Sequence, residues 1–314
     1  MDFYQGAERF KKSYSSVVVT IGNFDGVHQG HKKIIQTALL KARERGGAFG
    51  VFTFRPHPQL ALKPQAELPL LTTYDEKIDL LKKQNPDFIV EEPFSREFST
   101  VSAERFFNEY LLERLGVSAI VIGYDFSFGK GREGHIDKLK RLCFDSKIDL
   151  EVVSPVQQDG VIVSSSKIRE LIALREISQA NRLLGYSFSY TGTVMKGDGR
   201  GRTIGYPTAN LKMVNKLVLP LGVYATHAFV GGKKYPSITN VGVRPTFISK
   251  NTDDQVLPVL VETHLLDQEI DLYGETMRVD FEEALRPEKK FSSIQELVSQ
   301  IKSDIQQTRQ ILPN

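Results

Sequence analysis

Apolar residues along the first half of this chain fall into two alternating patterns. Val17-Val18-Val19-Thr20-Ile21 is a short β-branched run followed by a turn rich in Gly, Asn and Asp. Residues 31–45 then read as a helix that stops at Gly46-Gly47. Residues 49–54 read as a strand, 74–83 as a helix carrying Ile78, Leu80 and Leu81, and 88–90 as a short strand. Residues 102–115 read as a helix with Ser102 at its N-cap, and 119–122 and 150–153 add two strands. Strands alternating with helices predict an α/β domain with a parallel sheet, whose ligands sit beyond the carboxyl ends of the strands.

The pattern changes near residue 185. Residues 168–184 form one helical stretch with Leu171, Ile172, Leu174, Ile177, Leu183 and Leu184 apolar and Gly185 as C-cap. Short strands at 190–194, 223–230, 234–241, 259–264 and 277–281 follow, separated by glycine-containing turns such as Gly231-Gly232. Strands at this spacing predict a closed antiparallel β-barrel. Residues 292–311 form an amphipathic terminal helix, capped by Ser292 or Ser293 with Glu296 behind. The boundary falls at 183–188, giving domains over 1–185 and 186–314.

Composition narrows the classes. The 314 residues suit two domains, and 40% hydrophobic with 25% charged is ordinary globular composition. A net charge of +3 without a basic run predicts neither a nucleic-acid nor a membrane partner. Apolar runs are strand-sized, and residues 1–5 lack the basic flank and apolar core of a signal peptide. A single cysteine, Cys143, excludes an intrachain disulfide and reads as a buried structural thiol. A cytoplasmic protein is expected, and a homo-oligomer stays open.

Two regions concentrate chemistry. Gly22-Asn23-Phe24-Asp25-Gly26-Val27-His28-Gln29-Gly30-His31 follows the first strand and opens a helix. A helix N-terminus there presents free N–H groups and a positive dipole end to phosphate, and His28 and His31 can aim at the same anion. Zinc is a poor alternative, because no third ligand is evident nearby. Ser164, Ser165 and Ser166 can cap a following helix and offer hydroxyls to phosphates, and Arg169 or Lys167 adds positive charge. In the second half, Gly197, Arg202 and Gly205 lie in a glycine-rich loop that by itself reads as a surface turn. Pro207-Thr208-Ala209-Asn210 then sets two hard oxygen donors on one side of an extended segment, a pattern that suits Mg²⁺. Glu262, taken alone, reads as a solvated strand carboxylate.

The first motif resembles the signature of nucleotidyltransferases that carry His-x-Gly-His. With Thr53-Phe54-Arg55-Pro56-His57-Pro58, Gly123-Tyr124-Asp125-Phe126-Ser127-Phe128-Gly129 and Val163-Ser164-Ser165-Ser166-Lys167-Ile168-Arg169, it resembles the adenylyltransferase module of bacterial bifunctional riboflavin kinase/FAD synthetases. The block at 197–210, Leu219-Pro220-Leu221-Gly222, Thr239-Asn240-Val241-Gly242-Val243-Arg244-Pro245-Thr246-Phe247 and Val261-Glu262-Thr263-His264 resemble the riboflavin kinase module of the same family. Ser166 stands where that family commonly has threonine.

The resemblance implies a Rossmann-like nucleotidyltransferase domain and a kinase barrel acting on riboflavin, FMN, FAD and ATP. It implies Thr208 and Asn210 on Mg²⁺ with ATP, Glu262 as general base, and His28, His31 and Arg169 as catalytic groups. It further implies Gly22, Asn23, Phe24, Asp25, Gly26 and Ser164–Ser166 near one ATP, with Gly197, Arg202 and Gly205 near the other. Pro56, His57, Pro58, Asp125, Phe126, Asn240, Arg278 and Arg286 are implied on the flavin side. His264 shares the strand face of Glu262, and residues 251–258 read as a solvated loop. A transferase for another phosphorylated acceptor, or a non-catalytic flavin-binding regulator, are the competing readings.

Overall fold

The computed structural model describes residues 1–11, 14–63, 65, 68–197, 200–212, 216–243, 259–268 and 270–312. Residues 244–247 of the Asn240 motif and the loop 251–258 lie outside them. The chain divides into two compact units, Met1–Ser165 and Ser166–Asn314.

The first unit is built on a six-stranded parallel sheet: β1 (Asp2–Gln5), β2 (Val17–Ile21), β3 (Ala48–Arg55), β4 (Phe88–Pro93), β5 (Val117–Gly123) and β6 (Asp149–Val153). Their spatial order is β1-β4-β3-β2-β5-β6. All five residues of β2 are buried, as a central parallel strand requires, and they divide by alternation. Val17, Val19 and Ile21 join the core on one face of the sheet, and Val18 joins the core on the other. Strand order reverses between β2 and β5, so the crevice beyond their carboxyl ends is where this architecture takes its ligands. Three segments called from sequence alone open there or beside it: the turn after β2, the turn after β5, and the end of β3.

The helices follow their caps. Gln29–Glu44 starts two residues before its sequence-based limit because His28 supplies the N-cap. Tyr74–Lys82 begins with a complete capping box between Thr73 and Glu76. Ser102 caps Ala103–Arg105, and the winding then loosens into a π-helix over Phe106–Leu115, closed by left-handed Gly116. A short antiparallel pair, β7 (Gln157–Gln158) and β8 (Val161–Ile162), precedes the last turn of the unit. Cys143 is buried on the Ile136–Asp145 helix, and burial pushes its thiol up to about 12, so it stays protonated.

In the second unit, the continuous helix expected over 168–184 is two helices, Ser165–Ala173 and Ile177–Leu184. Arg175 adopts a left-handed φ of 64° between them, and Leu174 is exposed rather than on the apolar face. The barrel is closed in the order β10-β13-β12-β11-β14-β9. Its strands are β9 (Ser189–Met195), β10 (Ala209–Leu211), β11 (Gly222–Val230), β12 (Lys233–Val243), β13 (Val259–Leu265) and β14 (Thr276–Pro287). The barrel interior holds a chain of buried hydroxyls besides its apolar core. Thr226 bonds Ser237 and Thr239, and Thr239 bonds Thr263, each at 2.8 or 2.9 Å. The terminal helix Ile294–Ile311 is capped by Ser293, and Ser292 bonds Glu296. Asp304 on that helix pairs with Arg286 of β14 at 2.8 Å. Among the described residues no helix is long and apolar enough to cross a membrane.

Candidate active sites

In the first unit the turn after β2 is a tightly wound cradle. Phe24, Val27 and Gly26 all take positive φ, at 52°, 37° and 83°. The strain of two non-glycine residues there is held by bonds from outside the turn. Asp25, 5% exposed, accepts from the amides of Leu71 at 2.9 Å and Thr72 at 3.3 Å. The Asp25 carbonyl accepts from the Ser165 hydroxyl at 3.0 Å, and the Asn23 carbonyl accepts from Thr53 Oγ1 at 3.3 Å. The Asp25 side chain is thus an anchor for the cradle, with its oxygens turned to main-chain donors.

His28, 5% exposed, accepts from the His31 amide through Nδ1 at 3.3 Å. That bond fixes the neutral tautomer and leaves Nε2–H as a donor. The His28 and His31 rings stack with centroids 3.6 Å apart and planes 15° from parallel, and Phe24 meets His31 edge-on at 5.3 Å. Burial, and then the repulsion that two protonated rings would exert on each other across the stack, lower the His31 pKa well below its ordinary value. His31 is therefore a neutral imidazole at pH 7, and its Nδ1 is buried with no hydrogen-bond partner among the described residues. Gly30 permits the stack: a Cβ there would lie 3.1 Å from His28 Cε1 and 3.4 Å from the Val163 carbonyl. Two histidines and a helix N-terminus beside the Ser164–Ser165 turn are groups of the kind that can bind a phosphate.

Beside it, the Arg55–Pro56 peptide is cis, and His57 caps the Pro58–Leu62 helix. The His57 amide donates to the Tyr74 hydroxyl at 2.9 Å. Asp125 and Phe126 line a cleft of about 490 Å³ with Tyr124, Arg132 and His135. Phe126 stacks on buried Phe128 at 5.4 Å, so one ring is core and its neighbour is half-buried. Sequence reasoning missed Lys77 and Tyr74 in this region, and took Thr53 as a motif member without a role of its own. Lys77 lies four residues before Leu81 on the buried face of its helix, and a lysine at such a position was the available signal.

In the second unit the register assembles three side chains from three strands. Asn210 of β10 stands opposite Glu262 of β13, which stands opposite Asn240 of β12. Directly opposed residues of antiparallel strands point to one face, so the three form a row. Glu262 and His264 are half-buried and alternate with buried Thr263, on the shared face expected from sequence. Asn210 is 7% exposed, and its Oδ1 has no hydrogen-bond partner among the described residues. Gly197 lies against it so closely that a Cβ would meet Asn210 Nδ2 at 2.2 Å. His264 donates from Nδ1 to the Pro207 carbonyl at 2.8 Å and meets Tyr206 edge-on, which holds the segment leading to Thr208. Thr208, Arg202 and Gly205 line a cleft of about 380 Å³ together with Asp271 and Tyr273.

Other expected residues are placed but engaged. Arg278 pairs with Asp280 at 2.8 Å and lies over the Phe229 ring, and Arg286 is held by Asp304. Ser166, Lys167 and Arg169 lie on the Ser165–Ala173 helix, where Lys167 pairs with Glu170 at 2.7 Å.

Residues 10–167 match the family model of FAD synthetase, and residues 184–312 match that of riboflavin kinase. The bifunctional riboflavin kinase/FMN adenylyltransferase of Listeria monocytogenes is 35% identical over 93% of this chain and 91% of its own. The chain belongs to the bifunctional riboflavin kinase/FMN adenylyltransferase family. Relatives of that description in Bacillus subtilis and Escherichia coli K12 are each 34% identical, over 97% and 91% of this chain and 95% and 90% of theirs. A solved Streptococcus pneumoniae structure, described as a macrolide-efflux protein, covers 98% of both chains with a TM-score of 0.87 at 30% identity. In this bifunctional family the FAD synthetase match takes in the stacked histidines and the riboflavin kinase match takes in the Asn210–Glu262–Asn240 row, and residues 168–183 fall between the two matches.

Proposed function

We propose that the chain makes FAD in two ATP-dependent steps, one on each unit. On the barrel, the γ-phosphate of ATP passes to the terminal ribityl hydroxyl of riboflavin, giving FMN and ADP. At the cradle after β2, an FMN phosphate oxygen attacks the α-phosphorus of a second ATP, forming FAD and releasing pyrophosphate. The observation that supports this reading is that each unit has its own cluster of polar side chains inside its matched segment, the Asn210–Glu262–Asn240 row on one and the stacked histidines on the other.

For the first step, Glu262 is the assigned general base, within reach of a hydroxyl laid along the row between two amide side chains. Thr208 and Asn210 would hold Mg²⁺, and the unpartnered, buried Oδ1 of Asn210 is the kind of hard oxygen that ion takes. When bound, Mg²⁺ neutralises charge on the phosphates. Arg202, Gly197 and Gly205 border the ATP phosphates, and Asn240 faces the flavin. Arg278 and Arg286 are assigned to the flavin side, with their charges already balanced by Asp280 and Asp304.

For the second step, His28 Nε2–H and the neutral His31 donate to phosphoryl oxygens as charge grows on the leaving pyrophosphate. Gly22 to Gly26, Ser164, Ser165 and Ser166 border the ATP, and Arg169 supplies a cation whose charge does not depend on pH. Pro56, His57, Pro58, Asp125 and Phe126 form the flavin side. Catalysis is positioning and electrostatics, with no covalent enzyme intermediate. We place the enzyme in the cytoplasm, where ATP is supplied and a lone cysteine is kept reduced, with the domain boundary at 185. Incubation with riboflavin, ATP and Mg²⁺ followed by product separation tests the reading. FMN and FAD are expected; absence of FMN refutes the kinase step, and FMN without FAD refutes the transferase step.

A further inference from the structure

Lys77 is a buried lysine of the parallel-sheet unit whose ammonium bonds two neighbouring residues of β3 at once. The residue is 4% exposed. Its Nζ donates to Thr53 Oγ1 at 3.1 Å and to the Phe54 carbonyl at 2.9 Å, and lies at ion-pair distance, 3.7 Å, from Glu91 Oε1. These partners belong to β3 and β4 at their carboxyl ends. Thr53 Oγ1, receiving from Lys77, is left to donate its own hydrogen to the Asn23 carbonyl in the cradle. On the other side Lys77 lies 5.5 Å from the Tyr74 ring centroid, and Tyr74 takes Arg55 over its face at 4.8 Å and the His57 amide on its hydroxyl. One ammonium therefore joins the turn that carries the histidines to the segment that carries Pro56, His57 and Pro58.

We infer that Lys77 is a positioning residue for adenylyl transfer, which sets the spacing between the phosphate cradle and the Arg55–Pro58 segment through Thr53 and Tyr74. The inference rests on the assignment of FAD formation to this unit.

Lys77 Nζ donates to two acceptors, Thr53 and Phe54, and its charge faces Glu91 Oε1 at 3.7 Å, an oxygen with no hydrogen-bond partner among the described residues. Deprotonation removes the charge that faces Glu91 and leaves a neutral amine as the weaker donor to the two β3 groups. Burial lowers Lys77 to about 8 against the opposing pull of Glu91 and Asp25, while Arg55 adds to the lowering. Glu91 in turn is raised by burial, with Lys77 and Arg55 opposing and Asp75 assisting. Between about pH 8 and the ordinary lysine value the unfolded chain binds more protons at this residue than the folded one. The Lys77 contribution to stability therefore rises with pH over that window. Activity that depends on the charged form falls over the same window, which separates positioning from mere structural support.

The test uses the full chain and assays both reactions, FMN from riboflavin and FAD from supplied FMN. Wild-type chain that forms no FAD refutes the underlying assignment rather than the inference. Given FAD formation, Lys77→Met is expected to lower kcat/KM for FAD at least 10-fold while FMN formation stays within twofold. Lys77→Arg, whose charge persists, is expected to recover most of the rate and to lack the fall above pH 8 that wild type shows. Lys77→Met at wild-type FAD rate, or an active Lys77→Arg with an unchanged alkaline fall, overturns the inference. Should Lys77→Met lose both activities through misfolding, Thr53→Val decides: a loss of threefold or more in FAD formation alone supports the relay through Asn23, and no loss overturns it.

Discussion

At the residue scale, His28 and His31 have different duties although they stack as a pair. His28 caps the helix and presents Nε2–H, whereas His31 is a buried neutral ring with an unpartnered Nδ1. His28→Ala is expected to cut FAD formation by about 10²–10³-fold, the scale for losing one preorganised donor, with FMN formation intact. The same change is expected to cost about 1 kcal/mol of stability through the lost cap, read from denaturant unfolding. His31 gives a pH signature. Its folded pKa lies below the unfolded value, so its contribution to stability falls as pH drops through the ordinary histidine range. A bound phosphate reverses the cause by supplying the missing counter-charge, so ATP binding should take up a proton and tighten as pH falls from 7 to 6. Calorimetry in two buffers of different ionisation enthalpy checks this. The histidines were legible because they sit at a strand-to-helix turn with glycine between them. Asp25 was legible as a motif member but not in its duty, because Leu71 and Thr72 are far away in sequence and only folding brings their amides to its carboxylate. Lys77 could be flagged by its place on the apolar face of its helix, but its partners could not be read, since Thr53 and Glu91 lie in other elements.

At the element scale, β-branched runs and glycine turns located nearly every barrel strand, Ser102 caps its helix as expected, and of the two candidates Ser292 and Ser293 the second caps the terminal helix. The helix over 168–184 failed at Arg175, a residue type that propensity favours in a helix and that takes a left-handed φ here. Its Nη2 donates to the Leu221 carbonyl at 3.0 Å, a tertiary bond no local pattern announces. The edge strand β1, four mostly exposed residues, was missed because it lacks both an alternating and a continuous apolar signal. The threonines inside the barrel alternate like any inward-facing residues, but their hydroxyls must satisfy one another. Thr239 is the middle link, bonded to both Thr226 and Thr263. Thr239→Val keeps the shape and leaves two buried hydroxyls short of a partner. It is expected to destabilise the barrel unit by about 1–3 kcal/mol, measured by unfolding of the full chain monitored through loss of FMN-forming activity.

At the scale of the whole molecule, the two reactions are served by separate sets of residues, each inside one compact unit as far as the stacked histidines and the Asn210–Glu262–Asn240 row are concerned. FMN is the product of one set and the substrate of the other. A chain carrying His28→Ala and a chain carrying Glu262→Gln should each fail to turn riboflavin into FAD. Mixed together they should succeed, because FMN released by the first can reach the second through solution. The measurement is FAD formed with time as total protein is diluted at fixed ratio. Recovery that weakens with dilution is expected, and no recovery at any concentration would show that FMN does not pass between chains.

The double use of His28 has a historical consequence. A lineage that came to draw FAD from another source would lose selection for an imidazole at position 28, yet the helix beneath it would still require an acceptor for the His31 amide. Such descendants are expected to carry Asn, Asp, Ser or Thr there in preference to an apolar residue. The substitution would leave a folded, kinase-only enzyme whose past is recorded in a helix cap.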